Sequence, residues 1–294
     1  MSTATVSPVR SLGTVSRVRR LKNGSFTAFM WICIALALIP LALISAYVVA
    51  RGFSALSVNF FTKEPAGPLD PASGGIVQAF IGSAIMMGLA TLFAVPLGIL
   101  SAVYLSEYGT HRLAAAVRFV SEMLLSTPSI IAGVLIWTLV VTATGGFSGM
   151  AGAIALTVIM WPIITRATEE ILRLVPQDLR EGALALGLPR WKVIAKIVIP
   201  TAGAGILTAI MLAIARGLGE TAPILLTALG NDFINWSPTK PTDAVPLRVY
   251  AYARTPVEAL HAFAWGGAIT LLAAVLLLSF GARYFSYRQR KRMT

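Results

Sequence analysis

The chain has 294 residues, 56% of them hydrophobic and only 12% charged, with a mean hydropathy of +0.78. A soluble protein of this length carries about a quarter charged residues, so the composition excludes an ordinary soluble domain. A net charge of +12 and a pI near 10.4 raise nucleic-acid binding, but the charges are distributed by membrane side rather than gathered on one soluble face, which argues against that partner.

Apolar runs long enough to cross a bilayer predict an all-α membrane protein with six transmembrane helices, at about 27–50, 75–104, 114–142, 148–171, 201–230 and 259–283. The first run follows Arg17, Arg19, Arg20 and Lys22. It is too long for a cleaved signal sequence and reads as a retained span. It also holds Cys33, the single cysteine, which leaves no disulfide or zinc framework. The second and third runs exceed the roughly 20 residues needed to cross, which predicts tilt or extension beyond the bilayer. Pro40, Pro96, Pro128 and Pro162 fall inside spans, as membrane helices permit where neighbours satisfy the freed backbone groups.

Orientation follows from Lys and Arg placement. The N-terminal tail (1–26), the 105–118 turn, the 166–196 loop and the C-terminal tail hold 18 of the 24 basic residues, if Arg283 is counted with that tail. The segments 51–74, 143–147 and 231–258 hold five more, and Arg216 lies within a span. The positive-inside rule then makes both termini cytosolic, in the plasma (inner) membrane of a prokaryote. The basic tail 284–294 reads as a topology anchor beside anionic membrane lipid. The membrane-spanning body is 27–283, with a cytosolic loop at 172–200 and an external one at 231–258. The external segment, with Asn231, Asp232 and Trp236, either faces a binding protein or merely connects two spans.

The loop Glu181–Pro200 is organised. Leu179, Gly182, Ala183 and Leu186 recur at helical spacing as one apolar stripe. Gly187 suits the left-handed position that closes a helix, and Pro189 suits the first turn of the next. Trp191, Ile194, Ala195 and Val198 repeat the spacing. Two short amphipathic helices with a fixed elbow can press into a groove on a partner, or lie on the bilayer surface.

Arg216 and Glu220 are expected inside the fifth span, on one helix face and able to pair. An ionisable residue at membrane depth costs at least ~2.5–3.5 kcal/mol on insertion scales, so it faces protein or water. Either the pair is a packing salt bridge, or Arg216 offers its planar fork to a tetrahedral oxyanion while Glu220 orients it. Thr127 and Ser129 flank Pro128 at a helix interruption, a geometry that lines pathways, although such hydroxyls equally bond back to their own helix. Glu122 is expected to pair with Arg118, one turn earlier. His111 and His261 have no ligand-spaced companions, so neither a metal nor a cofactor is expected. No G-x-x-x-x-G-K-[ST] phosphate loop occurs, so this chain does not hydrolyse ATP, and no motif argues for an enzyme acting alone.

Glu181-Gly182-Ala183-x-x-x-Gly187, nine residues, then Ile197-x-Ile199-Pro200 resembles the E-A-A-x-x-x-G-x9-I-x-L-P loop of ABC-type importer permeases. Gly182 replaces the first alanine and Ile199 the leucine. Three further segments resemble the PstA subfamily of phosphate-importer permeases. They are Ser126–Gly133, Arg166–Glu170 followed by Val175-Pro176, and Ala215–Pro223. The resemblance covers about residues 70–285. It implies the type I ABC importer (MetI-like) fold with cytosolic coupling helices. Coupling to the ATPase would run through Glu181, Gly182, Ala183, Leu186, Gly187, Ile197 and Pro200, and the substrate pathway would include Arg216, Glu220, Thr127 and Ser129. It also implies partners: a pair of PstB-like ATP-binding subunits, a homologous PstC-like permease and an extracytoplasmic, PstS-like phosphate-binding protein. Alternatives are a permease for sulfate or molybdate, an ion-coupled secondary carrier, or a membrane sensor.

Overall fold

The computed structural model describes residues 17–67, 70–109 and 111–293. The start of the basic N-terminal tail, residues 1–16, lies outside the described residues. Two units are packed separately, Met1–Val49 and Ala50–Thr294. The first consists, as far as described, of helix α1 (Arg17–Gly52), whose last three residues belong to the second unit. Pro40 sits inside α1 without ending it. The helix starts ten residues before the predicted span, so the basic residues preceding that span are helical too.

After a 3-10 turn at Phe53–Ala55 the second unit continues with α2 (Val58–Thr62), a short helix capped by the Ser57 hydroxyl, which accepts from the Phe60 amide. Phe60 is fully buried and packs with Ile76, Tyr252 and Phe263. Helix α3 (Val77–Val103) follows the predicted second span closely and continues as a π-helical turn, Tyr104–Tyr108.

The predicted third span is not one helix. Helix α4 (Arg112–Ser126) and α5 (Ser129–Ile136) meet at a bend of 110°. Thr127 is extended at φ −78, ψ 134, because the ring of Pro128 disfavours helical geometry in the residue before it. Beyond α5 a second π turn, Trp137–Val141, leads into α6 (Thr142–Thr144). Helix α7 (Gly149–Arg173) starts at Ser148, whose hydroxyl accepts from the Ala151 amide, and is the most enclosed of the long helices.

The loop after α7 holds α8 (Gln177–Ala185) and α9 (Arg190–Val193). Helix α9 is not a separate element. Through a third π turn, Ile194–Val198, it runs straight into α10 (Ile199–Leu218), so the fifth span begins at Arg190, eleven residues earlier than predicted. It also ends earlier, at Leu218 instead of residue 230, because Gly219 caps it and Pro223 starts the separate helix α11 (Ala222–Thr227). Helix α12 (Val245–Ala253) and the long α13 (Glu258–Met293) complete the chain. The predicted C-terminal tail therefore continues the last helix to Met293. Five helices among the described residues are long and apolar enough to cross a membrane, and six spans result when the bent α4–α5 pair counts as one.

Helices α3, α7 and α10 form the centre. Met86, Met87, Ala90 and Ala94 of α3 pack on Leu156, Met160 and Ile164 of α7 and on Ala213 of α10. Small residues here let the helices approach closely, the main source of association where lipid offers no hydrophobic drive.

The 231–258 segment is folded into this body, not a plain connection. Val245, Leu247 and Tyr252 are buried, and a single parallel bridge joins Leu229 to Thr242. A Cβ on Gly82 would lie 2.0 Å from the Asp243 carbonyl oxygen, so only glycine lets α3 pass this close to the backbone. Asp243 is buried, and burial pushes its carboxyl above the ordinary range against the pull of Arg248. Arg248 Nε donates to it at 2.7 Å and Gln78 Nε2 at 3.1 Å, while Arg248 Nη1 reaches Asp232 at 2.6 Å.

Candidate functional site: an exposed elbow and a cavity reached by one helix

The elbow is built from local geometry. The Gly187 amide donates to the Leu184 carbonyl at 2.9 Å and the Leu188 amide to the Ala183 carbonyl at 3.3 Å, with Gly187 at φ +80. This is the Schellman arrangement, and it needs glycine because a side chain is strained at that φ. Pro189 stands at the cap of α9, not inside its first turn, and its carbonyl accepts from Lys192 and Val193.

Ala183 of α8 is buried with Leu172, Val175, Val193, Val198, Ala202 and Ile206, and Ile197 packs against this group. The rest of the α8 stripe faces out. Leu179, Glu181 and Gly182 are exposed, and Leu186 at the tip is 84% exposed. The α9 stripe divides: Ile194 and Val198 are buried in this chain, while Trp191 is 61% exposed and Ala195 and Pro200 lie at the surface.

A cavity of about 510 Å³ lies deeper in the body. Thr127, Ser129 and Arg216 line it together, among Leu124, Ile163, Leu212 and other apolar side chains. The bend at Pro128 brings the first two there, and the end of α10 brings the third. The Thr127 hydroxyl donates to the Met123 carbonyl at 2.6 Å, so it bonds back to its own helix as well.

Arg216 and Glu220 do pair, but not on one helix face. Glu220 lies past the end of α10, and the chain turn returns its Oε1 to 3.8 Å from Arg216 Nε. The Arg216 side chain is 56% exposed, so this loose contact is worth little and leaves the guanidinium fork accessible.

The Arg118–Glu122 pair expected from spacing does not form. Arg118 turns to α7, where its Nε donates to Glu169 Oε1 at 2.9 Å and its Nη2 to the Leu105 carbonyl at 2.8 Å. Glu122 contacts Arg166 instead, at 3.6 Å. Glu169 explains the change: its side chain is 1% exposed, and Arg118, Arg166 and Arg173 all surround it. A carboxylate this buried is costly without partners, so it draws cations from a neighbouring helix. The sequence had singled out Arg166–Glu170 only for its resemblance; the signal that was passed over is a carboxylate at i+3 and i−4 from arginines at a helix end. Among the described residues no group of three His, Cys, Asp or Glu is placed to hold a metal.

The family model for binding-protein-dependent transport system inner membrane components matches residues 94–291. Curated relatives include the phosphate transport system permease protein PstA of Xylella fastidiosa (strain 9a5c), 44% identical over 83% of this chain and 85% of that one. The Pasteurella multocida protein of the same name is 39% identical over 93% of this chain and 97% of its own. PstA 1 of Mycobacterium tuberculosis (strain H37Rv) is 40% identical over 93% and 91%. Among solved structures, a bacterial alginate ABC transporter chain aligns with a TM-score of 0.65 at 15% identity, over 91% of this chain and 95% of that chain. A chain of the MetNI methionine ABC transporter in an inward-facing conformation aligns at 0.59 and 20% identity, over 72% and 93%. At those identities the likeness is one of fold, that of type I ABC importer permeases. With the family model covering more than half of its length, the chain belongs to the binding-protein-dependent transport system inner membrane component family.

Proposed function

We propose that this chain forms half of the translocation pathway of an ATP-driven importer and moves inorganic phosphate into the cell. One geometric observation carries the reading: the helix from Arg190 to Leu218 is continuous, with the elbow at one end and Arg216 at the other. Its 29 residues span about 43 Å at 1.5 Å per residue, so a displacement of the elbow is delivered to the cavity by one rod. The curated relatives, named for phosphate transport and 39–44% identical over four-fifths or more of the chain, support the substrate.

In this reading both termini and the elbow face the cytosol. Leu179, Leu186 and Trp191 enter a cleft on a PstB-like ATP-binding subunit, with Glu181 and Gly182 at its rim. A PstC-like permease supplies the other half of the pathway, and a PstS-like protein delivers phosphate from outside. ATP favours the outward-open state because the ATPase binds it more tightly there, since a ligand shifts an equilibrium only by its differential affinity. The cavity is apolar apart from Thr127, Ser129 and Arg216, so an anion leaving water finds one guanidinium fork and two hydroxyls. Glu220 neutralises part of that charge and keeps the anion from being held too long.

Uptake of labelled phosphate and labelled sulfate into proteoliposomes, with and without the ATP-binding subunits, tests this. Phosphate uptake that requires ATP and those subunits is the expected result. Preferential sulfate uptake would reassign the substrate, uptake without the ATPase would make the chain a secondary carrier, and no flux at all would leave a sensor.

A further inference from the structure

Both arms of the elbow grip one short stretch of α3, at its π-helical end. Arg180 of α8, next to Glu181, donates from Nη1 to the Val175 carbonyl at 2.6 Å and from Nη2 to the Leu172 carbonyl at 2.8 Å. Leu172 is in the last turn of α7 and Val175 lies two residues past its end, so Arg180 adds a donor where the helix ladder runs out. The same Nη2 lies 3.1 Å from Glu107 Oε1, and the two side chains are only 12% and 7% exposed. From the other arm, Arg190 donates to the Glu107 carbonyl and stacks its guanidinium 4.6 Å from the centre of the Tyr108 ring. Glu107 and Tyr108 close the π turn Tyr104–Tyr108. Such a turn is a locally widened stretch of helix and frequently marks a functional position.

We propose that Glu107 is a positioning residue that makes α3 move with the elbow, so that the stroke of the ATPase is carried by two helices, α3 and α10, and not by α10 alone. A second contact deeper in the body points the same way. Gly217, next to Arg216, lies close against Met87 of α3 and Met160 of α7, where an added Cβ would come within 3.0 Å and 3.2 Å, so α10 packs on both helices at this level. Linked at the base through Glu107 and packed together at depth beside Gly217, the two helices behave as one body, and Arg216 keeps its place against α3 while both follow the elbow. A buried guanidinium holding two carbonyls and a carboxylate suits this role because its planar fork fixes direction as well as distance. The proposal rests on the reading that the elbow docks an ATPase.

The readout is ATP hydrolysed per phosphate imported, in the complete complex reconstituted with its ATP-binding subunits, partner permease and binding protein. Glu107→Ala is expected to co-purify with the ATPase normally, to hydrolyse ATP, and to raise that ratio about fivefold, the lower end of ordinary coupling effects. Glu107→Gln, which keeps an acceptor, is expected to raise it less. In a Cys33→Ser background, Glu107→Cys with Arg180→Cys is expected to be uncoupled and to regain the original ratio once a bifunctional thiol reagent joins the pair. A ratio unchanged in Glu107→Ala overturns the proposal, whether uptake stays normal or falls in step with hydrolysis. So does a cross-linked pair that remains uncoupled. Failure of the ATPase to co-purify with the unaltered chain strikes the docking reading itself, a result distinct from any change in the ratio.

Discussion

Two polar segments interrupt the apolar spans, and each is anchored by an arginine paired with a carboxylate, yet they differ in which apolar side chains they bury and which they leave exposed. In the 231–258 segment Arg248 holds Asp243, and Val245, Leu247 and Tyr252 are buried, while Phe233 and Trp236 stay exposed. In the 172–200 segment Arg180 holds Glu107, and Ala183, Val193, Ile194 and Val198 are buried, while the larger side chains Leu179, Leu186 and Trp191 stay exposed. The buried half of 231–258 packs into the body of its own chain, whereas the exposed side chains of 172–200 are those that a partner covers under the proposed function.

Variants in each segment, and in the cavity, test the contrast. Arg248→Ala leaves Asp243 buried without its cation and is expected to cost about 3–5 kcal/mol, read as a large fall in the thermal midpoint in detergent. Gly187→Val forces a side chain into the left-handed conformation and is expected to cost about 1–2 kcal/mol while weakening ATPase co-purification. Arg216→Lys keeps the charge and loses the fork, so phosphate uptake should fall roughly tenfold with assembly unchanged, on the scale of one charge-assisted hydrogen bond. Normal uptake by that variant would return the residue to a packing role. Leu186→Asp is expected to change stability by no more than about 0.5 kcal/mol, because the side chain touches little of its own chain. It should nevertheless abolish co-purification. A stability loss at Leu186 as large as that at Arg248 would erase the contrast between the segments.

The elbow was legible because its geometry is local. A glycine at a fixed offset from a short amphipathic run is enough to specify a Schellman closure, and Gly187 adopts it. Pro128 was legible as an interruption, but not as a turn of 110°, since the angle depends on what α4 and α5 pack against. The Arg118 partner was misread for a related reason. Spacing offered Glu122 four residues away, whereas burial of Glu169, 51 residues along the chain, offered a stronger electrostatic gain. The end of the fifth span was overrun because Gly219 and the residues after it remain apolar enough to read as helix.

Hydropathy, the placement of Lys and Arg and the elbow motif lie in short windows of sequence, and they alone determined a helical membrane protein with a structured polar loop. The folded chain decided three further matters: that Thr127, Ser129 and Arg216 share a cavity, that the elbow and Arg216 lie on one unbroken helix, and that both arms of the elbow close on Glu107. Each of these joins residues tens of positions apart, where the choice of partner is made by burial and close packing and leaves no periodic trace in the sequence.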